Sequence, residues 1–144
     1  MMRVLKPLTV SELAELLRYK KPKARKKPSH QEDNLQIECV RWVDFMHEEL
    51  SPLLFHPKNG GKSNQIEGAR FKRMGVRKGV PDLILLVANK EFNALCLELK
   101  SDKGRQSQSQ KEWQKVAEKN KIKYMVIKSL QEFINEINNY LKIK

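Results

Sequence analysis

Residues 79–102 run GVPDLILLVANKEFNALCLELKSD, and this stretch decides the fold. Pro81 to Ala88 is almost wholly apolar, the composition of a buried strand, and from Leu95 to Lys100 apolar and polar side chains alternate with period two. Two strands are therefore expected, Pro81 to Ala88 and Ala94 to Lys100, with Asn89 to Phe92 as the turn between them. If the turn centres on Lys90, residues whose numbers sum to 180 face one another, and Asp82 lies opposite Glu98. Opposed side chains on one face of such a pair have Cβ atoms about 5 Å apart. The strand period places Lys100 on the face of Glu98 and turns Leu95, Leu97 and Leu99 toward the core. A slip of one residue would separate Glu98 from Asp82, so the register carries the whole reading.

Two carboxylates held this close repel unless a positive charge lies between them, and one ammonium cannot fill the coordination shell that their oxygens offer. A divalent cation can. Mg²⁺ favours oxygen ligands and is typically held by one or two carboxylates together with water and phosphate oxygens. Such an ion polarises a phosphodiester and acidifies a bound water, while Lys100 orients or deprotonates that water or balances transition-state charge. The plain alternative is a Glu/Lys pair on an exposed strand face. Glu98-Leu99-Lys100 by itself does not exclude it.

Outward from the hairpin the periodicity changes. Leu35, Cys39, Trp42, Val43, Met46 and Leu50 recur at helical spacing and predict a helix over 32–50. Pro52 to His56 is short and β-compatible, and Asn59-Gly60-Gly61 marks a turn or open loop. Ile66, Ala69, Arg70 and Met74 predict a second helix with a basic outer face that stops at Gly75. Beyond the hairpin, 106–120 suits a helix with Trp113, Val116 and Ala117 inward, and 122–127 a strand. A last helix is expected from Ser129, paired with Glu132 as a capping box and followed by the stripe Leu130, Phe133, Ile134, Ile137, Tyr140 and Leu141. The order is α-β-α-β-β-α-β-α, an α/β fold with a mixed sheet flanked by helices.

A chain of 144 residues suits one ordinary domain. Residues 1–30 form a separate basic arm or linker: Ser11 to Tyr19 is weakly amphipathic, and YKKPKARKKPSH is broken by prolines and lacks apolar periodicity. Residues 31–144 are the expected folded unit. Lys and Arg number 29 against 17 Asp and Glu, a formal charge of +12, which favours a polyanionic partner. Nucleic acid leads, and an anionic membrane surface is second. No segment approaches the roughly 18 apolar residues of a membrane span, and the N-terminus lacks a signal-peptide run, so a cytoplasmic, intracellular location is expected. Cys39 and Cys96 lack CxxC spacing and suit buried, reduced thiols.

At this point the residues resemble the PD-(D/E)xK nuclease superfamily and, within it, the virus-type replication-repair (VRR-NUC) branch in its stand-alone form. Pro81-Asp82 stands for PD and Glu98-Leu99-Lys100 for ExK. Further shared features within 31–128 are Glu38, the HPKNGG loop from His56, the GVRKGVPD approach to the strand, and Ser107-Gln108-Ser109-Gln110. The resemblance implies a restriction-endonuclease-like fold and an Mg²⁺- or Mn²⁺-dependent structure-selective DNA endonuclease, similar to Holliday-junction resolvases that act as homodimers on branched DNA. It leaves a phage- or prophage-type protein open. It also implies a metal set of Asp82, Glu98, Glu38 and the Leu99 backbone carbonyl, with Gln110 holding the site or the DNA. The alternative function is a non-cleaving DNA-binding or scaffold module.

Lys58, Lys62, Arg70, Lys72, Arg73, Arg77 and Lys78 crowd the approach to Asp82 and are expected to contact phosphates. Asn59, Gly60 and Gly61 would let backbone come close to DNA, although an ordinary turn explains them nearly as well. Glu38 borders the apolar stripe of the first helix, where a boundary salt bridge is its plain reading. A polar residue opening a helix is that of Gln110. His56 stands at the same strand end as Asp82, and none of the three histidines receives a catalytic role. Trp42 and Trp113 fall on apolar stripes and are assigned to the core.

Overall fold

A computed structural model of the chain describes residues 30–57 and 64–143. Residues 1–29 of the expected arm and the loop residues Lys58, Asn59, Gly60, Gly61 and Lys62 lie outside the described residues. The elements, in order, are α1 (Gln31–Met46), a 3-10 helix (Glu48–Leu53), β1 (Leu54–Phe55), α2 (Gln65–Arg73), β2 (Leu83–Leu85), β3 (Ala94–Leu99), α3 (Gln108–Lys119), β4 (Ile122–Ile127) and α4 (Leu130–Lys142). They build one mixed sheet in the order β1-β2-β3-β4. The β1–β2 and β2–β3 pairs are antiparallel, and α3 crosses over to make β3–β4 parallel.

The hairpin adopts the expected register. Leu83 pairs with Leu97, Ile84 with Cys96 and Leu85 with Leu95. Asn89 makes the turn: its N–H donates to Phe92 O at 2.8 Å, and its side-chain Oδ1 accepts from the N–H groups of Glu91 and Phe92 at 2.9 and 2.7 Å. This is a local turn closed by an Asn side chain, which explains why its position is legible in a short window of sequence. The ladder of β2 is shorter than the apolar run. Beyond the paired residues, Leu86 N–H still donates to Leu53 O at 3.0 Å.

One face of the sheet carries the core. Leu83, Leu85, Leu95, Leu97, Leu99 and Ile127 pack against Cys39 and Val43 of α1 and against Phe133, Ile137 and Tyr140 of α4. Trp42 meets Phe133 edge-on, with ring centroids 6.1 Å apart, and belongs to this cluster as expected. Both cysteines are free, buried thiols with pKa values pushed up to about 12 by burial, which suppresses thiolate chemistry.

Four local expectations change. The first helix ends at Met46 and not Leu50, because Pro52 lacks an N–H and its ring conflicts with a carbonyl one turn earlier, so the chain tightens into the 3-10 helix. Val116 is 62% exposed, since the buried seam of α3 runs through Ala117 and leaves Val116 well to one side. At α4, Ser129 Oγ accepts from Glu132 N at 3.2 Å, but the Glu132 carboxylate takes the Lys128 N–H at 2.8 Å, so the box closes one residue early. The periodic apolar residues of α2 bury nothing at all.

Candidate active site

β3 is buried along its entire length, so its second face is covered too. That cover is α3, and beneath it lies Glu98, with 0% exposure. An exposed strand face is thereby excluded for this residue. Lys100 follows two positions later on the same face, its side chain 11% exposed, and its Nζ lies 2.6 Å from Glu98 Oε1. Continuing the β2–β3 register by one residue sets Asp82 opposite Glu98, and its negative charge helps to raise the Glu98 pKa. Asp82, Glu98 and Lys100 are thus brought together as the hairpin pattern requires.

Asp82 is pinned from two sides. Its Oδ2 accepts the Leu99 N–H at 2.7 Å, which ties it to the neighbouring strand, and its backbone carbonyl accepts from His56 Nδ1 at 2.6 Å. A carbonyl can only accept, so Nδ1 of His56 carries the hydrogen. His56 thus anchors the main chain of Asp82 at the end of β1.

Gln110 reaches the site by a local device. Ser107 caps α3: its Oγ accepts from Gln110 N, while Gln110 Oε1 accepts the Ser107 N–H at 2.7 Å. This reciprocal capping box consumes the amide oxygen and leaves the amide nitrogen to donate to Glu98 Oε1. A helix-opening polar residue and a site residue are therefore the same residue. The chain before Asp82 is seated on this same turn. Gly79, at φ +78°, sits so close to α3 that an added Cβ would lie 2.2 Å from Ser109 O, a position open only to glycine.

Two residues at the site escaped sequence reasoning. Tyr124 on β4 donates its hydroxyl to Glu98 Oε2 at 3.1 Å and packs beside Trp113 at 6.0 Å between centroids. Glu32, in the first turn of α1, accepts the Ser101 N–H at 2.9 Å, and its charge raises the Lys100 pKa. The parallel pairing of β3 with β4 sets Tyr124 beside Cys96, on the face of Glu98, a relation that no local pattern contains. Glu38 is not brought to the site. It is exposed, and it stands six residues beyond Glu32, about 9 Å along the helix and well around its axis. The acidic side chain that α1 supplies is Glu32.

Burial shifts the titrations. Desolvation raises the Glu98 pKa, the charge of Asp82 adds to this, and the Lys100 and Tyr124 contacts oppose it. At Lys100 burial pulls downward, but the hydrogen bond and charge of Glu98, with the charges of Asp82 and Glu32, outweigh it, and the net shift is upward. Among the described residues no three His, Cys, Asp or Glu side chains gather as a metal cluster. The donor set is two carboxylates, Asp82 and Glu98. An all-oxygen pair of this kind fits Mg²⁺ or Mn²⁺ completed by water and phosphate, and does not fit a closed structural site.

Of the expected DNA contacts, Arg70, Lys72, Arg73, Arg77 and Lys78 are all exposed. Arg77 also donates to Lys72 O at 3.0 Å and so closes the end of α2.

A mixed sheet that carries an acidic pair and a lysine on adjacent strands, roofed by a helix, is the arrangement that the PD-(D/E)xK resemblance implies. The VRR-NUC domain family matches residues 18–131, and the chain belongs to that nuclease family. This match reaches back into the basic segment ahead of α1. A solved structure of a VRR_NUC domain protein is similar, with a TM-score of 0.69 and 28% identity, covering 78% of this chain and 89% of that one. No curated protein matches. Among the described residues no helix is long and apolar enough to cross a membrane.

Proposed function

We propose that the chain is a metal-dependent, structure-selective DNA endonuclease in which Asp82 and Glu98 hold Mg²⁺ or Mn²⁺. The observation that carries this reading is the wholly buried Glu98 carboxylate, held by Lys100, Gln110 and Tyr124 beside Asp82. Burial of a carboxylate costs free energy, and raising its pKa lowers the fraction that is ionised. Such an arrangement makes sense where a cation compensates. When bound, the ion supplies Lewis-acid polarisation of the phosphate and a more acidic water.

The protein groups do the rest. Gln110 and Tyr124 each donate to one oxygen of Glu98 and fix the plane of its carboxylate. Lys100, whose pKa is raised by the hydrogen bond and charge of Glu98 and by the charges of Asp82 and Glu32, orients or deprotonates the attacking water or balances the charge that develops on phosphoryl oxygen. Hydrolysis forms a new P–O bond to water and breaks one phosphodiester P–O bond. The water proton leaves to solvent and the departing oxygen takes one up. Glu32 lies near enough to extend the negative field around the ion. The backbone carbonyl of Leu99 completes the proposed ligand set. Arg70, Lys72, Arg73, Arg77 and Lys78, with Lys58 and Lys62 of the preceding loop, hold phosphates.

The proposed substrate is branched DNA such as a four-way junction, cut by a symmetric homodimer with one site per protomer, which matches the two-fold character of a junction. The test is cleavage of four-way junction, flap, single-stranded and linear duplex DNA with Mg²⁺, Mn²⁺ or EDTA. Cutting is expected only with metal and best on branched DNA. Lys100→Ala is expected to lower it about 10²- to 10³-fold with binding retained. Cutting in EDTA, or undiminished cutting by Lys100→Ala, would overturn the mechanism. Metal-independent binding with no cutting by the wild type would favour the scaffold alternative.

A further inference from the structure

Among the described residues α2 differs from the other α-helices in burying no side chain: α1, α3 and α4 each bury at least one. Isolated helices shorter than about 12–15 residues are marginal in water, so a nine-residue helix with no packed face must be held at its ends. It is. Asn64 and Glu67 form a reciprocal capping box at one end, and at the other Gly75 turns the chain at φ +98° while the Arg77 guanidinium donates to Lys72 O and Val76 O at 3.0 and 3.3 Å. Fixed ends and a bare flank describe an element built to meet something else.

The chemistry of that flank is mixed. Ile66 is 83% exposed and Met74 68% exposed. Arg70 lies four residues from each, and Arg73 lies seven from Ile66, so helical geometry sets both arginines on the same side as the two apolar tips. Ile66 and Met74 stand about 12 Å apart along the axis. Against Arg70, Lys72 and Arg73 the helix carries one acid, Glu67, whose carboxylate is engaged in the cap. Charge complementarity therefore selects a polyanion. Phosphates satisfy the arginines, but an intact duplex offers the apolar tips little beyond thymine methyl groups in the major groove, because its base faces are stacked. Where stacking is broken, an apolar base face is exposed, and side chains such as Ile and Met are the type that wedge against it.

Resting on the nuclease reading above and deepening it, we infer that α2 selects DNA with an interrupted base stack, such as a branch point or a nick. Ile66 and Met74 rest on the unstacked bases, and Arg70 and Arg73 hold the flanking phosphates. The link from α2 to the reacting phosphate is short and anchored, since it passes through Gly79, seated on Ser109, before entering Asp82.

The test compares the wild type with the double variant Ile66→Ala/Met74→Ala, both positions being too exposed for the change to unfold the protein. Binding is measured by fluorescence anisotropy in EDTA on a four-way junction, a nicked duplex and a continuous duplex of one length at one salt concentration. The wild type is expected to prefer the interrupted DNAs. The double variant is expected to lose about tenfold on them while its affinity for continuous duplex stays within about twofold. A 2-aminopurine base at the branch should brighten with the wild type and stay dim with the variant. Equal losses on all three DNAs, unchanged affinities, or no wild-type preference would overturn the role of α2. So would loss of self-association in light scattering with the DNA preference intact, which would assign the face to a second copy. Failure of the wild type to cut any DNA with metal would instead bring down the nuclease reading.

Discussion

The two faces of β3 are built from alternate residues of one strand and serve opposite ends. Leu95, Leu97 and Leu99 enter an apolar cluster closed by α1 and α4, where every contact favours folding. Between them Glu98 is equally buried, but under α3, with two amide or ammonium donors on one oxygen and a phenol on the other. The first face stabilises by excluding water from hydrocarbon. The second forces a carboxylate out of water beside another, and its donors offset only part of that cost; the proposed cation would offset more. The lesson is that burial has no single meaning along a strand. On one side it measures stability, and on the other it measures how firmly a reactive group is preorganised.

Leu97→Ala attacks the stable face and has the largest expected effect, a loss of about 2–5 kcal/mol in unfolding free energy. Urea titration checks it, and a loss below about 1 kcal/mol would mean that the hairpin does not anchor the core. Tyr124→Phe attacks the reactive face. It removes one hydrogen bond to Glu98 at nearly constant volume and should weaken Mg²⁺ binding about 10- to 100-fold by calorimetry, with a smaller fall in melting temperature than Leu97→Ala. An unchanged affinity would reduce Tyr124 to a packing residue.

The smallest effect concerns pH. A carboxylate whose folded pKa lies above its ordinary value of 4.5 favours the fold most when protonated, so the metal-free protein should lose that increment as pH rises through the Glu98 pKa. The proposed Mg²⁺ would bind only the ionised form. Its stabilisation in thermal melts should therefore be small at acid pH and grow toward neutrality, over a range lying above that of an exposed glutamate. A stabilisation independent of pH would show that the ion binds elsewhere.

The hairpin was legible from sequence because both of its determinants are short-range. An Asn side chain closes the turn, and period-two alternation then commits Asp82, Glu98 and Lys100 to one face. The same holds for Ser107 and Gln110, a capping box written within four residues, though its second use as a donor to Glu98 is not. Helical periodicity also located every α-helix among the described residues to within a few residues. It failed at Val116 and on α2, because a repeat shows which residues share a side and not whether anything packs there.

What only the tertiary structure decided is which residues from distant segments close over that face. Tyr124 arrives through a parallel pairing made possible by the α3 crossover, and Glu32 through the docking of α1 near Ser101. Glu38, the acid that the family resemblance implied, is exposed, because helix position and helix docking are set by different forces. Local hydrogen bonds and side-chain alternation act within a few residues and are written in the sequence. The burial of Glu98, which turns an ordinary acid and lysine pair into a preorganised site, is a property of segments that meet only when the chain has folded.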